Sequence, residues 1–211
     1  MKLMEDAFRG ILNGDLERVE SAVRGALKAG APAQQLLNET LIPAMAEVGR
    51  LFEEQEYFLP ELIVAGKAMQ AGVAILRPEL ISSGAVATIG KVILGTVEGD
   101  LHDIGKNLVG MMLEGAGFEV VDVGIDARAS TFVAAARQGG DLIGISALLT
   151  STMSKMADVI DAVTEAGLRA QLKIMVGGAP VTQGYADRIG ADGYAPDASS
   201  AARLAKELLN L

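Results

Sequence analysis

The feature that most constrains this chain is a change of period near residue 90. Beyond it, short apolar runs rich in β-branched residues alternate with helical stretches. The runs are Lys91–Val97, Glu119–Val123, Leu142–Ser146, Lys173–Gly177 and a weaker one at Gly193–Ala195. Helices are expected between and after them, over 104–116, 130–139, 152–167, 181–190 and 198–210. Such alternation predicts a parallel sheet covered by helices on both faces.

Residues 90–211 are therefore expected to form a five-stranded, doubly wound domain of flavodoxin or Rossmann-like type. Ligands of such sheets bind beyond the carboxyl ends of the strands. The preceding part keeps the helical period throughout. Asp15 caps a segment whose apolar positions are Leu16, Val19, Val23, Ala26 and Leu27, after Asn13-Gly14 stops the first helix. Gly30 and Pro32 separate it from a third segment carrying Leu37, Leu41, Met45, Val48 and Phe52. Pro43 lies inside that segment and is expected to kink or break it near Leu41. A fourth segment begins at Leu59-Pro60, a good first turn for proline, and is expected to run to Pro78. The fold class is thus α/β: a four-helix bundle over 1–81, a linker of small residues over 82–89, and the sheet domain over 90–211.

Charge and composition narrow the function. There are 18 basic and 27 acidic residues, a formal charge of −9, with no basic cluster. Nucleic acid and anionic membrane surfaces are poor partners for such a chain. No cysteine is present, which excludes disulfides, thiolate metal sites and cysteine nucleophiles and fits a reducing compartment. Two acids in the opening Met1-Lys2-Leu3-Met4-Glu5-Asp6 stand where a signal peptide needs an apolar run. No uninterrupted apolar stretch suggests a membrane span. A cytoplasmic location is expected.

The most informative stretch is Glu98-Gly99-Asp100-Leu101-His102-Asp103-Ile104-Gly105-Lys106-Asn107, directly after the first strand. His102 is the single histidine of the chain. Asp100, two residues earlier, can reach one imidazole nitrogen and leave the other for a ligand, fixing the tautomer and raising basicity. Gly105 permits a tight turn or the close approach of a large flat ligand. The alternative is a capped helix start with Asp100 or Asp103 as cap and His102 exposed by chance. One histidine without cysteine is a poor ligand set for bare zinc or copper, but it suffices where a macrocycle already holds the metal.

At these residues the sequence resembles the cobalamin-binding domain family. The family's Asp-x-His-x-x-Gly is present as Asp100, His102 and Gly105, followed at the family's spacing by Ser-x-Leu as Ser146 and Leu148, and by Gly177-Gly178. The resemblance implies that histidine replaces the cofactor's own base on cobalt, so that His102 is the metal ligand and Asp100 its partner. Asp103, Ile104 and Gly105 would touch the corrin, while Ser146, Leu148, Thr150, Gly177 and Gly178 would line the slot for the displaced base. Members similar to methionine synthase complete a relay with a serine at the position of Thr152, which keeps the hydroxyl. Without the resemblance, Gly177-Gly178 reads as a turn, Ser146 as a strand-end cap, and Ser151 or Thr152 as a helix cap.

The resemblance extends to the helical part through Val48-Gly49-Arg50-Leu51-Phe52 and Phe58-Leu59-Pro60. It implies a cap over the upper corrin face, with Met45, Phe52, Leu59 and Leu62 near it; by spacing alone these are core positions. The linker would then act as a hinge. The implied function is a methyl carrier, not catalytic alone, passing a methyl group on cobalt from a donor-specific methyltransferase to one acting on tetrahydrofolate. A reductive activation protein would be a further partner. The alternatives are the cobalamin subunit of a radical mutase, which needs a barrel, and a cobalamin sensor, which needs an output domain.

Overall fold

A computed structural model describes residues 2–82 and 88–211. Contacts divide the chain into two units: one running to Ile89 and including Glu114–Gly117, the other comprising Gly90–Leu113 and Phe118–Leu211. Most of the expected linker, residues 83–87, lies outside the described residues.

In the first unit, α1 spans Lys2–Leu12 and α2 Leu16–Lys28, with the Asp15 side chain accepting from the Arg18 amide at the start of α2. The third helical run does not break at Pro43. It passes from α3 (Ala33–Leu36) through a π-helical turn, Leu37–Leu41, into α4 (Ile42–Glu53). The turn resolves the conflict that proline creates. Pro43 has no N–H to donate and its ring crowds the carbonyl four residues back. Widening the turn just before it, where the Ile42 amide reaches the Leu37 carbonyl, keeps the chain helical.

Helix α5 runs Leu59–Ser82 and carries Pro78 inside it rather than ending there. By length and composition α5 could cross a membrane. It instead packs on α1, α2 and α4, burying Leu62, Ala65, Ala68, Met69, Leu76 and Leu80. It is the central helix of a bundle whose core includes Ile11, Val19, Val23, Leu36, Leu41 and Val48.

The second unit is the expected doubly wound sheet. Its elements are β1 (Lys91–Val97), α6 (Ile104–Gly115), β2 (Glu119–Ala127), α7 (Ala129–Ala136), β3 (Leu142–Ser146), α8 (Ser154–Glu165), β4 (Lys173–Gly177), α9 (Gln183–Ile189), β5 (Gly193–Ala195) and α10 (Ala198–Leu208). The strand order is β2-β1-β3-β4-β5 and every pairing is parallel. Six consecutive residues of β1, from Val92 to Val97, are buried, as a strand covered on both faces requires. One face packs Ile93, Ile143, Ile145, Ile174 and Val176 against Phe132 of α7 and Met156, Val159 and Val163 of α8. Burying each such large side chain stabilises by roughly 1.5–3 kcal/mol.

Strand β2 continues past Val123, where the apolar run ends, to Ala127. Asp122, Gly124 and Asp126 interrupt the apolar pattern, and register shifts against β1 let the strand absorb them. Because β1 leads outward to β2 while β3 lies on its other side, the carboxyl ends of β1 and β3 form the topological switch point. In open parallel sheets ligands bind outside the carboxyl ends of the strands at such a point.

Candidate functional site

Two loops meet at that switch point, one after β1 and one after β3. Asp100, in the first, is completely buried. Its Oδ1 lies 2.7 Å from His102 Nδ1 and also accepts from the His102 amide at 3.2 Å. Its Oδ2 accepts from the second loop: the amides of Leu148 at 2.7 Å and Leu149 at 3.1 Å, and the Thr152 hydroxyl at 2.8 Å. A buried carboxylate needs this many donors to offset its desolvation. Burial by itself would push the Asp100 carboxyl up. Donation by the Leu148 amide, the His102 ring, the Thr152 hydroxyl and the His102 amide outweighs it and holds the group well below the usual carboxylate range.

A carboxylate only accepts, so the imidazole donates from Nδ1, and Nε2 carries the lone pair available to a ligand. The His102 side chain is about half exposed, and the Thr96 hydroxyl of β1 holds its carbonyl at 2.9 Å. A deeply buried anion thus orients a half-exposed base.

Exposed apolar side chains surround this edge: Leu101, Ile104, Ile125, Leu148 and Leu149. Asp103, Gly105 and Thr150 are exposed as well, and a Cβ at Gly105 would meet nothing within 4 Å. No group of three or more His, Cys, Asp or Glu side chains gathers to hold a bare metal ion among the described residues. A single oriented imidazole, an open glycine and an apolar surround fit a flat macrocycle that brings its own metal.

Ser146, half-buried, ends β3 opposite Gly177 of β4. Gly178 has φ +128°, and a Cβ there would fall 1.8 Å from the Ala147 carbonyl oxygen, so only glycine lets the two loops run this close. Within the helical unit the three expected corrin-facing residues and the nearby Met45 separate. Phe52 is half-buried and Leu59 exposed, whereas Met45 and Leu62 belong to the core. Sequence reasoning missed the Leu149 amide and Thr96. A backbone donor leaves no residue-type signal, and a threonine inside a strand reads as β-propensity alone.

Known proteins are similar to this chain in sequence and fold. A model for the B12 binding domain matches residues 90–203, and a second model with the same description matches residues 3–77. The chain is 44% identical over 209 residues to a dimethylamine corrinoid protein of Methanosarcina acetivorans, covering 99% of this chain and 96% of that protein. It superposes on a cobalamin-binding protein from Desulfitobacterium hafniense with a TM-score of 0.80 at 32% identity, covering 97% of this chain and 98% of that one. It also matches a chain of the methanol:cobalamin methyltransferase complex of Methanosarcina barkeri with a TM-score of 0.88 at 29% identity, covering 99% of this chain and 80% of that one.

Proposed function

The chain belongs to the B12-binding domain family and binds cobalamin or a related corrinoid, and from that premise we propose that it is a methyl carrier in which His102 Nε2 is the axial ligand of cobalt. One observation carries the reading: a buried carboxylate satisfied on one oxygen by three donors and on the other by the single histidine. The bound corrinoid supplies a metal centre that can accept a methyl group and give it up.

Asp100 fixes the ring and strengthens Nε2 as a donor, because its negative charge favours electron density on the imidazole. Thr152 and the two leucine amides occupy Oδ2 and so dedicate Oδ1 to His102. An imidazole free of the metal would take a proton at Nε2, and the Asp100 carboxylate would balance the imidazolium. Asp103, Ile104 and Gly105 would hold the macrocycle, and Ser146, Leu148, Thr150, Gly177 and Gly178 would line the slot for its displaced base.

Residues 1–81 are assigned as the cap, residues 82–89 as its linker and residues 90–211 as the cobalamin domain. Phe52 and Leu59 would be the cap residues in contact. Met45 and Leu62, on the same helical faces at i,i+7 and i,i+3, would support them from the core. The name of the Methanosarcina acetivorans relative favours a methylamine as donor, delivered by a substrate-specific methyltransferase. A second methyltransferase acting on tetrahydrofolate or a similar acceptor, and a reductive activation protein, complete the proposed system, in the cytoplasm.

The test is electron paramagnetic resonance on the chain reconstituted with cob(II)alamin whose lower-base nitrogens are isotopically labelled. The axial nitrogen coupling should ignore the label and vanish in His102→Ala. Coupling that follows the label refutes the axial assignment. Transfer from dimethylamine by a dimethylamine methyltransferase should then methylate the wild-type holoprotein; transfer from methanol alone would reassign the donor.

A further inference from the structure

The loop that carries His102 is attached not only to the loop after β3 but also to β2, at both of its ends. At its start, the Gly99 amide donates to Asp126 Oδ1 at 2.6 Å, and the Asp126 amide donates to the Asp100 carbonyl at 3.0 Å. Just past its end, Lys106 in the first turn of α6 reaches Asp122 Oδ2, and also Asn107 Oδ1 at 2.8 Å. Asn107 in turn reaches back to Asp103, through its amide at 2.7 Å and its side chain at 3.2 Å. The other Asp122 oxygen accepts from the Gly124 amide at 2.8 Å.

These contacts occur where β2 is least regular. Strand β2 carries one extra residue between the Leu94–Asp122 and Gly95–Gly124 pairs, and another before Val97–Ala127. Gly124 has φ +88° and Asp126 φ +50°. A left-handed conformation is unfavourable for a residue with a side chain, and bulges that re-aim groups gather beside functional sites. Lys106 is likewise unusual, being 3% exposed. Its buried ammonium is satisfied by Asp122 and Asn107, which ties the first turn of α6 to β2.

We infer that β2, through Asp126 and the Lys106–Asp122 pair, is a second support that sets the position of the His102 ring toward the metal, separate from the bonds of the Asp100 carboxylate to the loop after β3. The inference rests on the axial role proposed for His102. Asp122, Asp126 and Lys106 are positioning residues, acting through the ends of the loop. With this support removed, Asp100 still holds the ring. The loop backbone beneath it can then shift, and the cofactor's own base competes for the metal.

The full chain is prepared with heavy nitrogen in its single histidine and reconstituted with cob(II)alamin of ordinary nitrogen. In electron paramagnetic resonance, a heavy-nitrogen ligand splits the cobalt lines in two, whereas the cofactor base splits them in three. Wild type should show the two-line pattern alone. Asp126→Gly should show a partial return of the three-line pattern with circular dichroism unchanged, because glycine suits the positive φ and only the carboxylate is lost. Lys106→Met should do the same. Asp126→Asn should restore the wild-type spectrum, since its amide oxygen can still accept from Gly99. A complete two-line pattern in both Asp126→Gly and Lys106→Met overturns the inference and leaves the axial assignment intact. A three-line pattern in the wild type defeats the axial assignment, and the inference with it.

Discussion

The helical unit and the sheet unit bury polar groups in opposite ways. Among the described residues, the first fully buries one polar residue, Thr40, whose hydroxyl has no hydrogen-bond partner, and the buried Oε1 of Gln34 has none either. The second buries Thr96, Asp100, Lys106, Thr152 and Ser199, and the first four of these surround or brace the His102 loop through hydrogen bonds. A bundle held by apolar packing has no use for internal polarity. A site that must hold one imidazole in one orientation does, because hydrogen bonds are directional and apolar contacts are not. Internal polarity therefore marks the unit that orients the imidazole and is sparse in the helical unit.

The largest effect should come from Gly178→Ala, where a new Cβ would collide with the Ala147 carbonyl in a left-handed backbone. We expect the sheet unit to lose about 3 kcal/mol or more in urea unfolding. A near-neutral result would show that the two loops are less tightly coupled than the contrast requires.

Asp100→Asn should cost about 2–3 kcal/mol at neutral pH, because an amide cannot accept at both oxygen positions. The folded Asp100 carboxyl lies below its unfolded value of about 3.9. Its contribution is thus complete above that value and is lost as pH falls toward the folded one. The stability gap between wild type and Asp100→Asn should therefore narrow as the pH is lowered below about 4, in equilibrium unfolding followed by circular dichroism. A gap independent of pH would mean that the carboxylate charge is not what the buried donors stabilise.

Thr152→Val removes one of three donors to Oδ2 while keeping shape, and should destabilise by about 1–2 kcal/mol, with Thr152→Ser within about 0.5 kcal/mol of wild type. Thr40→Val is the counterpart in the helical unit. It replaces an unpartnered buried hydroxyl by a methyl group, and should be neutral or stabilising by up to about 1 kcal/mol in thermal unfolding. Equal losses at Thr152 and Thr40 would erase the distinction between the units.

Legibility followed the same division. In the sheet unit the apolar runs located β1, β3, β4 and β5 at their observed ends, since a strand covered on both faces writes a continuous signal. Strand β2 extends beyond its apolar run, which stops at Val123, because Gly124 and Asp126 look like loop residues, and Asp126 holds the His102 loop from within the strand. In the bundle, the helical period and the Asp15 cap were legible. The run carrying Pro43 has its defect at the π-helical turn ending at Leu41 but stays helical, and α5 continues past Pro78 to Ser82, since neighbouring helices hold a run together through a defect that would end it in isolation.

The order of elements, the parallel sheet, and the place of Asp100 and His102 in a loop at its carboxyl edge are all written along the linear chain. These depend on periods and spacings within a few residues, which the chain states locally. Only the tertiary structure decided how Asp100 is used. The donors to its Oδ2 come from 48, 49 and 52 residues away, two of them backbone amides, and β2 reaches the same loop from its other side. Such convergence depends on which strands are neighbours, and that is settled by packing the whole sheet at once.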